Sequence, residues 1–473
     1  MADCASVAEL LPSALRSQLL RDMQHWSPES ITCGMLQQTV ESDTRALVAI
    51  INQTVFLLRP TVAARNGMMT AVLHDLAALA VDFAVPDVVL SLNVFDEPVE
   101  PLRQRPLPVF SFFQTRAAAD ILMPSGYFRT LRVDQMLLSI EQYRKRYPWS
   151  GKRPVALWRG SLFCGPNRFL KCSRLVLAHL SAQRVVPELD VGFTTYDSEH
   201  DIYLRINDPE PAGDLPLPPS RLQKVQRVSP LEHANSKYLV HLDGYTASSR
   251  FQLLLATNSV VLKQDSYFWA YFHSAFRPYV HYIPFWEASH LDILAVLANV
   301  TQHDNEMRHL GERASRLARK LFTRRARSLY WLTLLHLYAR RMKWKPSLAM
   351  WPSAVQWTDW QHRRATYRTV RCKGDELSAM SIADQLDEDL ARAQRAGRAT
   401  HARPGAMAAI PTNGNASIPL QFESDVEKRT MPPETDHAAL SGAHEAFARS
   451  QAERCKHRVQ RSGRRWFLDT RDC

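Results

Sequence analysis

The chain has 473 residues, 45% of them hydrophobic, enough for two or three domains at roughly 100–200 residues each and for a sizeable buried core. Only 16 glycines against 28 prolines exclude a collagen-like or glycine-rich fibrous chain. Lys plus Arg outnumber Asp plus Glu by 59 to 47, a net +12 that suits an anionic partner (nucleic acid, an anionic lipid surface or a phosphate-bearing small molecule) without choosing among them.

The amino-terminal stretch MADCASVAELLPSALRSQLLRDMQHW holds acidic residues and no sustained apolar run, so it reads as neither a signal peptide nor a membrane span, and no later stretch is long enough to span a bilayer. Residues from about 15 to 85 read as helices interrupted by short extended pieces. In TAVLHDLAALAVDF, Val72, Leu76, Leu79 and Phe83 fall on one side, as a core-packed helix requires. PDVVLSLNVFDEP then runs into an acidic turn closed by Pro98, the pattern of a buried strand ending at a loop, and PLPVFSFFQT repeats it. A break at PWSGKRP, residues 148–154, marks a domain boundary. After it VALWRGS, KYLVHLDG, SVVLKQ and YVHYIPF read as strands, with helices at SRFQLLLATN and through YFWAYFHSAF; this alternation predicts a second, parallel α/β unit.

From Met307 to Arg341, leucines recur among many arginines, predicting amphipathic helices whose basic face is solvated. Beyond Pro346 the composition changes: Trp351, Trp357 and Trp360 follow Trp344, and SIADQLDEDLARAQRA supports one helix. Residues from about 390 onward read as largely disordered. The chain thus divides into residues 1–150, residues 151–345 with C-terminal helices, and residues 346–473, a Trp-containing segment with a low-order tail of mixed charge.

The seven cysteines form no Cys-x-x-Cys pair, which speaks against a zinc ribbon or a thioredoxin-type site, and their odd number leaves at least one thiol unpaired in a monomer. His437, His444 and His457 lack the second ligand pair of a metal site. The triplets at Asn52, Asn299 and Asn415 match the glycosylation sequon but read as chance occurrences.

Three elements carry the chemistry. In HLDGYTASSRFQLLLATNSVVL a strand leads through Gly244 to Thr246, Ala247, Ser248 and Ser249, and a helix opens near Arg250. Free N–H groups and a first-turn arginine suit a phosphate; the plainer alternative is an N-cap by Thr246 or Ser248. In ALWRGSLFCGPNRFLKCSRLVL a strand leads to Arg159, Gly160 and Ser161, with Arg168 and Arg174 beyond. An anionic ligand fits these arginines, and so does a tie from Arg159 to backbone carbonyls. Neither element has the Walker or dinucleotide spacing. Asp96 in NVFDEP stands at the carboxyl end of a buried strand, where it serves as a base for a hydroxyl proton or caps the turn.

WRGS, KYLVHLDGYTASSRFQLLLATNSVVLKQ and FRPYVHYIPF, in that order, resemble the Rumi-like protein O-glucosyltransferases and the fungal capsule-associated glycosyltransferases, together glycosyltransferase family 90. LSLNVFDEP, PVFSFFQT and PWSGKRPVALWRGS extend the likeness upstream, so that it covers roughly residues 20–345. The resemblance implies an α/β fold of GT-B-like architecture: two Rossmann-like domains facing a cleft, with C-terminal helices and a largely disordered tail. Residues 1–150 then form the acceptor side and residues 151–345 bind a nucleotide-sugar.

The implied activity is inverting transfer of glucose or xylose from a UDP-sugar to a hydroxyl of a protein or glycan. The UDP-sugar is a donor substrate, with no cofactor, metal or nucleic acid expected. Arg159, Gly160, Ser161, Arg174, Gly244, Thr246, Ala247, Ser248, Ser249 and Arg250 are then the donor-binding residues, Arg168 being interchangeable with Arg174 through a gap shift, and Asp96 the catalytic base. Two positions depart from the animal enzymes: Asp243 stands where they have an Arg before the glycine, and Ala270 replaces their acidic residue before the aromatic pair. The family works in the lumen of the endoplasmic reticulum or Golgi, whereas this amino terminus reads as cytoplasmic or truncated. The alternative is an inactive GT-B-fold protein that binds nucleotide, glycan or protein.

Overall fold

The computed structural model describes residues 6–40, 45–60, 66–162, 172–195, 224–229, 231–244, 246–357 and 374–399. The chain divides into a main unit of Met1–Thr61, Arg65–Asp387 and Asp469–Cys473, and a second unit of Val62–Ala64 and Glu388–Leu468. In the second unit the described part, residues 388–399, is helical. The tail, expected to be disordered from about residue 390, is helical as far as residue 399, and from 400 onward it lies outside the described residues. All that follows concerns the main unit.

Two sheets organise it. The first has strands β1 (Arg45–Ile51), β2 (Thr54–Arg59), β3 (Val88–Asn93), β4 (Val109–Ser111), β5 (Ile121–Leu122) and, from far along the chain, a short Val355–Gln356 strand. Its order is Val355–Gln356, β2, β1, β3, β4, β5. The pieces expected to be short extended interruptions are β1 and β2, an antiparallel pair with Ile51 opposite Thr54. Asn52 and Gln53 both take positive φ, at 48° and 58°, as a two-residue hairpin turn matched to strand twist requires. β1 also runs antiparallel to β3, whereas β3, β4 and β5 are parallel, so this sheet is mixed.

The second sheet is wholly parallel. Its strands are β6 (Arg153–Ser161), β7 (Leu189–Thr195), β8 (Ser236–His241), β9 (Val260–Gln264) and β10 (Ile283–Phe285), in the order β10, β9, β8, β6, β7. The chain steps from β6 to β7 on one side and returns to β8 on the other. That makes the gap between the carboxyl ends of β6 and β8 the topological switch point, where open α/β sheets leave a crevice for ligands. The crossing into this sheet is anchored by buried Lys152, whose Nζ donates to Ala234 O at 2.6 Å and Ser259 Oγ at 2.7 Å.

Two expectations are corrected here. YFWAYFHSAF is not a helix: only a 3-10 turn, His273–Ala275, forms there. The backbone of Trp269 is instead held in an antiparallel bridge with Gln114, and an extended residue in mid-segment is incompatible with helix geometry.

The basic face of residues 307–341 is not simply solvated. Within the helix Arg324–Ala339, Arg325 and Arg327 are buried. Arg325 pairs with Asp375 at 2.5 Å, and Arg327 with Asp134 at 2.8 Å. Arg341, just beyond that helix and 1% exposed, pairs with Asp387 at 2.5 Å. The two acidic partners on the C-terminal side belong to the helix Asp375–Ala399, which covers the helix-forming SIADQLDEDLARAQRA segment. The Trp-rich stretch docks too: Trp344 and Trp351 pack against the cluster of Leu47, Ala49 and Val89 on the first sheet with Leu36 of the helix Cys33–Thr39.

Candidate active site

Arg159 and Ser161 sit on β6, close to its carboxyl end. The Arg159 guanidinium is spent on structure: its Nη1 donates to Trp158 O at 2.9 Å and Asp190 O at 2.8 Å, and its Nη2 to Asp190 Oδ1 at 2.6 Å. This ties β6 to β7 by the carbonyl route weighed from sequence. The carbonyl of Arg159 faces the other way in function, because it accepts a hydrogen bond from Arg250 Nη1.

Arg174 comes from the start of the helix Ser173–Ala182. Its Nε donates to Asp243 O at 2.8 Å and its Nη1 to Ser161 O at 2.9 Å, so one guanidinium spans the carboxyl ends of β6 and β8. Arg174 and Arg250 both approach the Trp158 ring, at 5.3 and 5.9 Å from its centroid. Among the described residues neither forms an ion pair with a carboxylate; backbone carbonyls hold both. Burial pushes the Arg174 guanidinium down to about 9, with Arg250 adding to the effect. Arg250 is likewise lowered, by burial first and then by Arg227. Two partly desolvated like charges with no carboxylate bonded to either, only Asp243 acting on Arg174 from a distance, suit an anion.

Arg227 is a residue that sequence reasoning missed. It is exposed and lies in the described segment 224–229, which is carried to the sheet by the bond from Val225 N to Phe193 O at 2.7 Å. Only its partner in space marks it out, since KVQRV has no motif.

The turn after β8 is compact. Gly244 N donates to Thr246 O at 2.9 Å, and Thr246 and Ala247 are buried. His241, held neutral because burial pushes it down to about 3, donates from Nε2 to Ser248 O at 3.1 Å. Ser248 and Ser249 are half-buried. The helix that follows, Phe251–Ala256, has Arg250 itself as N-cap and no side-chain capping bond, so neither Thr246 nor Ser248 caps it. Asp243 is buried, its N–H donating to Gln264 Oε1 at 3.0 Å. Burial raises its carboxyl to about 6 despite Lys263 nearby.

Asp96 belongs to the first sheet, three residues beyond the end of β3. Asn93 builds its turn: Asn93 Oδ1 accepts from Phe95 N at 3.0 Å, and Nδ2 donates to Glu97 O at 2.6 Å and Ser111 Oγ at 3.1 Å. The half-buried Asp96 receives the Tyr127 hydroxyl on Oδ1 at 2.8 Å. Ser111 in turn donates to buried Asp120, whose main-chain oxygen accepts from Gln114 Nε2 at 2.7 Å. Gln114 then meets Trp269, five residues past β9, so a continuous set of bonds runs from the Asp96 turn to the segment that follows β9. Ala270 is buried beside Trp269.

Arg168 lies outside the described residues. Among those described, no group of three or more His, Cys, Asp or Glu side chains is placed to hold a metal ion, and no helix is long and apolar enough to cross a membrane.

A family model described as Glycosyl transferase family 90 matches residues 12–356. The chain is similar to Protein O-glucosyltransferase 2 of Danio rerio, at 28% identity over 272 residues, 56% of this chain and 49% of that protein. Protein O-glucosyltransferase 3 of Homo sapiens is 26% identical over 275 residues, 56% of this chain and 49% of that one. The O-glucosyltransferase rumi homolog of Aedes aegypti is 26% identical over 277 residues, 55% of this chain and 63% of that one. The chain spans about half the length of the first two relatives.

Proposed function

The chain belongs to glycosyl transferase family 90, and from that membership we propose that it is an inverting glycosyltransferase, moving glucose or xylose from a UDP-sugar to a hydroxyl of a protein or glycan on a GT-B-like frame. The observation that carries this reading is the pair of buried Arg174 and half-buried Arg250, held at the switch point of the parallel sheet by backbone carbonyls with no carboxylate bonded to either. A diphosphate gives both guanidiniums an anion to bond.

In the proposed reaction Asp96 takes the proton of the acceptor hydroxyl as that oxygen bonds to the sugar's anomeric carbon. The bond from that carbon to the diphosphate breaks on the opposite face, and UDP leaves with its new charge stabilised by the two guanidiniums. The Tyr127 hydroxyl orients the Asp96 carboxylate. No metal is needed, because preorganised cations meet the charge that a divalent ion meets elsewhere. Arg159 acts through its carbonyl, and Gly160, Ser161, Gly244, Thr246, Ala247, Ser248 and Ser249 shape the donor pocket. A lumenal compartment of the endoplasmic reticulum or Golgi type is proposed from the resemblance to the Rumi-like enzymes.

The test is a panel of UDP-sugars with and without EDTA, followed by detection of released UDP in the presence of hydroxyl acceptors. Release of UDP that survives chelation supports the proposal. Binding of UDP with no transfer from any donor favours an inactive binding protein, and activity that requires manganese excludes the metal-free mechanism.

A further inference from the structure

We infer that Trp158 is a positioning residue of the anion site, holding Arg174 and Arg250 at the separation at which one diphosphate meets both; this rests on reading that site as the donor's. Trp158 is buried on β6, and both guanidinium carbons lie within 6 Å of its ring centroid, at 5.3 and 5.9 Å. Asp243 offsets the charge of Arg174 in part, yet no carboxylate bonds either guanidinium, and the two repel. Their hydrogen bonds go to Ser161 O, Asp243 O and Arg159 O, which fix direction but contribute no negative charge. The negative face of an indole attracts a cation and cannot be protonated away.

The ring is itself held in place. Phe193 on β7 meets it edge-on, with centroids 6.0 Å apart and planes at 88°. On the other flank Gly160 leaves the space the ring occupies: a Cβ there would stand 2.6 Å from Trp158 Cζ2 and 3.0 Å from Arg250 Nη2. The Trp-Arg-Gly order therefore has a division of labour. Trp158 presents the aromatic surface, Arg159 offers its carbonyl, and Gly160 keeps the surface clear for Arg250.

Calorimetric titration of the full chain with UDP tests this in the parent and in Trp158→Phe, Trp158→Leu and Gly160→Ala. Trp158→Leu removes the π-face and is expected to raise the Kd about thirtyfold, the scale of a desolvated cation–π contact. Trp158→Phe keeps a smaller ring and should lie between the two. Gly160→Ala should weaken binding while Trp158 is retained, because the added methyl displaces the ring or Arg250; it carries the test if the Leu variant does not fold. Combining Trp158→Phe with Arg174→Ala or with Arg250→Ala separates positioning from mere packing. If Trp158 acts through the arginines, the losses are less than additive in at least one pair. Unchanged UDP affinity in the Leu and Ala variants, or strict additivity with both arginine variants, overturns the role of Trp158 while leaving the donor site standing. A parent chain that binds neither UDP nor pyrophosphate overturns the donor reading and this inference with it.

Discussion

Gln114 and Trp269, 155 positions apart, hold each other three times over: Gln114 N donates to Trp269 O at 2.9 Å, Trp269 N to Gln114 O at 3.0 Å, and the indole Nε1 to Gln114 Oε1 at 3.0 Å. The Gln114 side-chain amide also donates from Nε2 to Asp120 O at 2.7 Å. Gln114→Ala should therefore destabilise the main unit by about 1–3 kcal/mol, the cost of stranding buried partners. Urea denaturation measures it; an unchanged midpoint would show that the side-chain bonds add nothing to the backbone bridge.

Arg250→Ala and Arg174→Ala should each weaken UDP binding by about 1.5–3 kcal/mol, the scale of a hydrogen bond to a charged group. Lysine at either position should restore only part of the loss, because it lacks the planar fork that serves carbonyl and phosphate together. Calorimetry showing the parent's affinity in both Ala variants would remove the diphosphate from this site.

Asp96→Asn preserves shape but cannot take a proton, so transfer should fall by roughly two to four orders of magnitude. UDP affinity should hold, since the arginine pair belongs to the other sheet. Tyr127→Phe should produce a smaller drop in kcat, because the carboxylate loses only its orienting hydroxyl. A fully active Asn variant would assign the base elsewhere.

Asp22 gives a pH dependence with a definite sign. It is fully buried, and burial raises its carboxyl from 3.8 to about 8 against the bonds from Gln18 and Leu122. Between those two values the folded chain keeps a proton that the unfolded chain has released, so stability falls as pH rises, by at most about 1.4 kcal/mol per unit. The neutral form's contribution is fully present below 3.8. Asp22→Asn should flatten the fall between about pH 5 and about pH 8; identical slopes in parent and variant would place the titration in other groups.

Asp387→Ala leaves the Arg341 guanidinium buried without its carboxylate and removes one partner of Arg340. A loss of about 3–5 kcal/mol is expected for stranding a buried charge, against less than about 1 kcal/mol for an exposed pair such as Lys320 with Glu9. Thermal melts of the two variants side by side give the comparison; equal small shifts would mean that water reaches Arg341.

Much of this was legible in the sequence. Continuous apolar runs ending at polar turns mark β3, β6, β8 and β9, because a strand buried on both faces admits little else. Asp96 was marked by its position just past such a strand, Arg250 by the helix start beyond β8, and Arg174 by the family resemblance, with Arg168 as its alternative. What the sequence could not settle were relationships across long separations. YFWAYFHSAF is as apolar as a buried helix, yet Trp269 is committed to Gln114. Arg327 looks like any surface arginine until Asp134, 193 positions earlier, meets it. The convergence of Arg174 and Arg250 on Trp158 is likewise written nowhere in the local pattern. Local periodicity records which side chains avoid water; whether a charge can be buried depends on a partner that only the folded chain brings within reach.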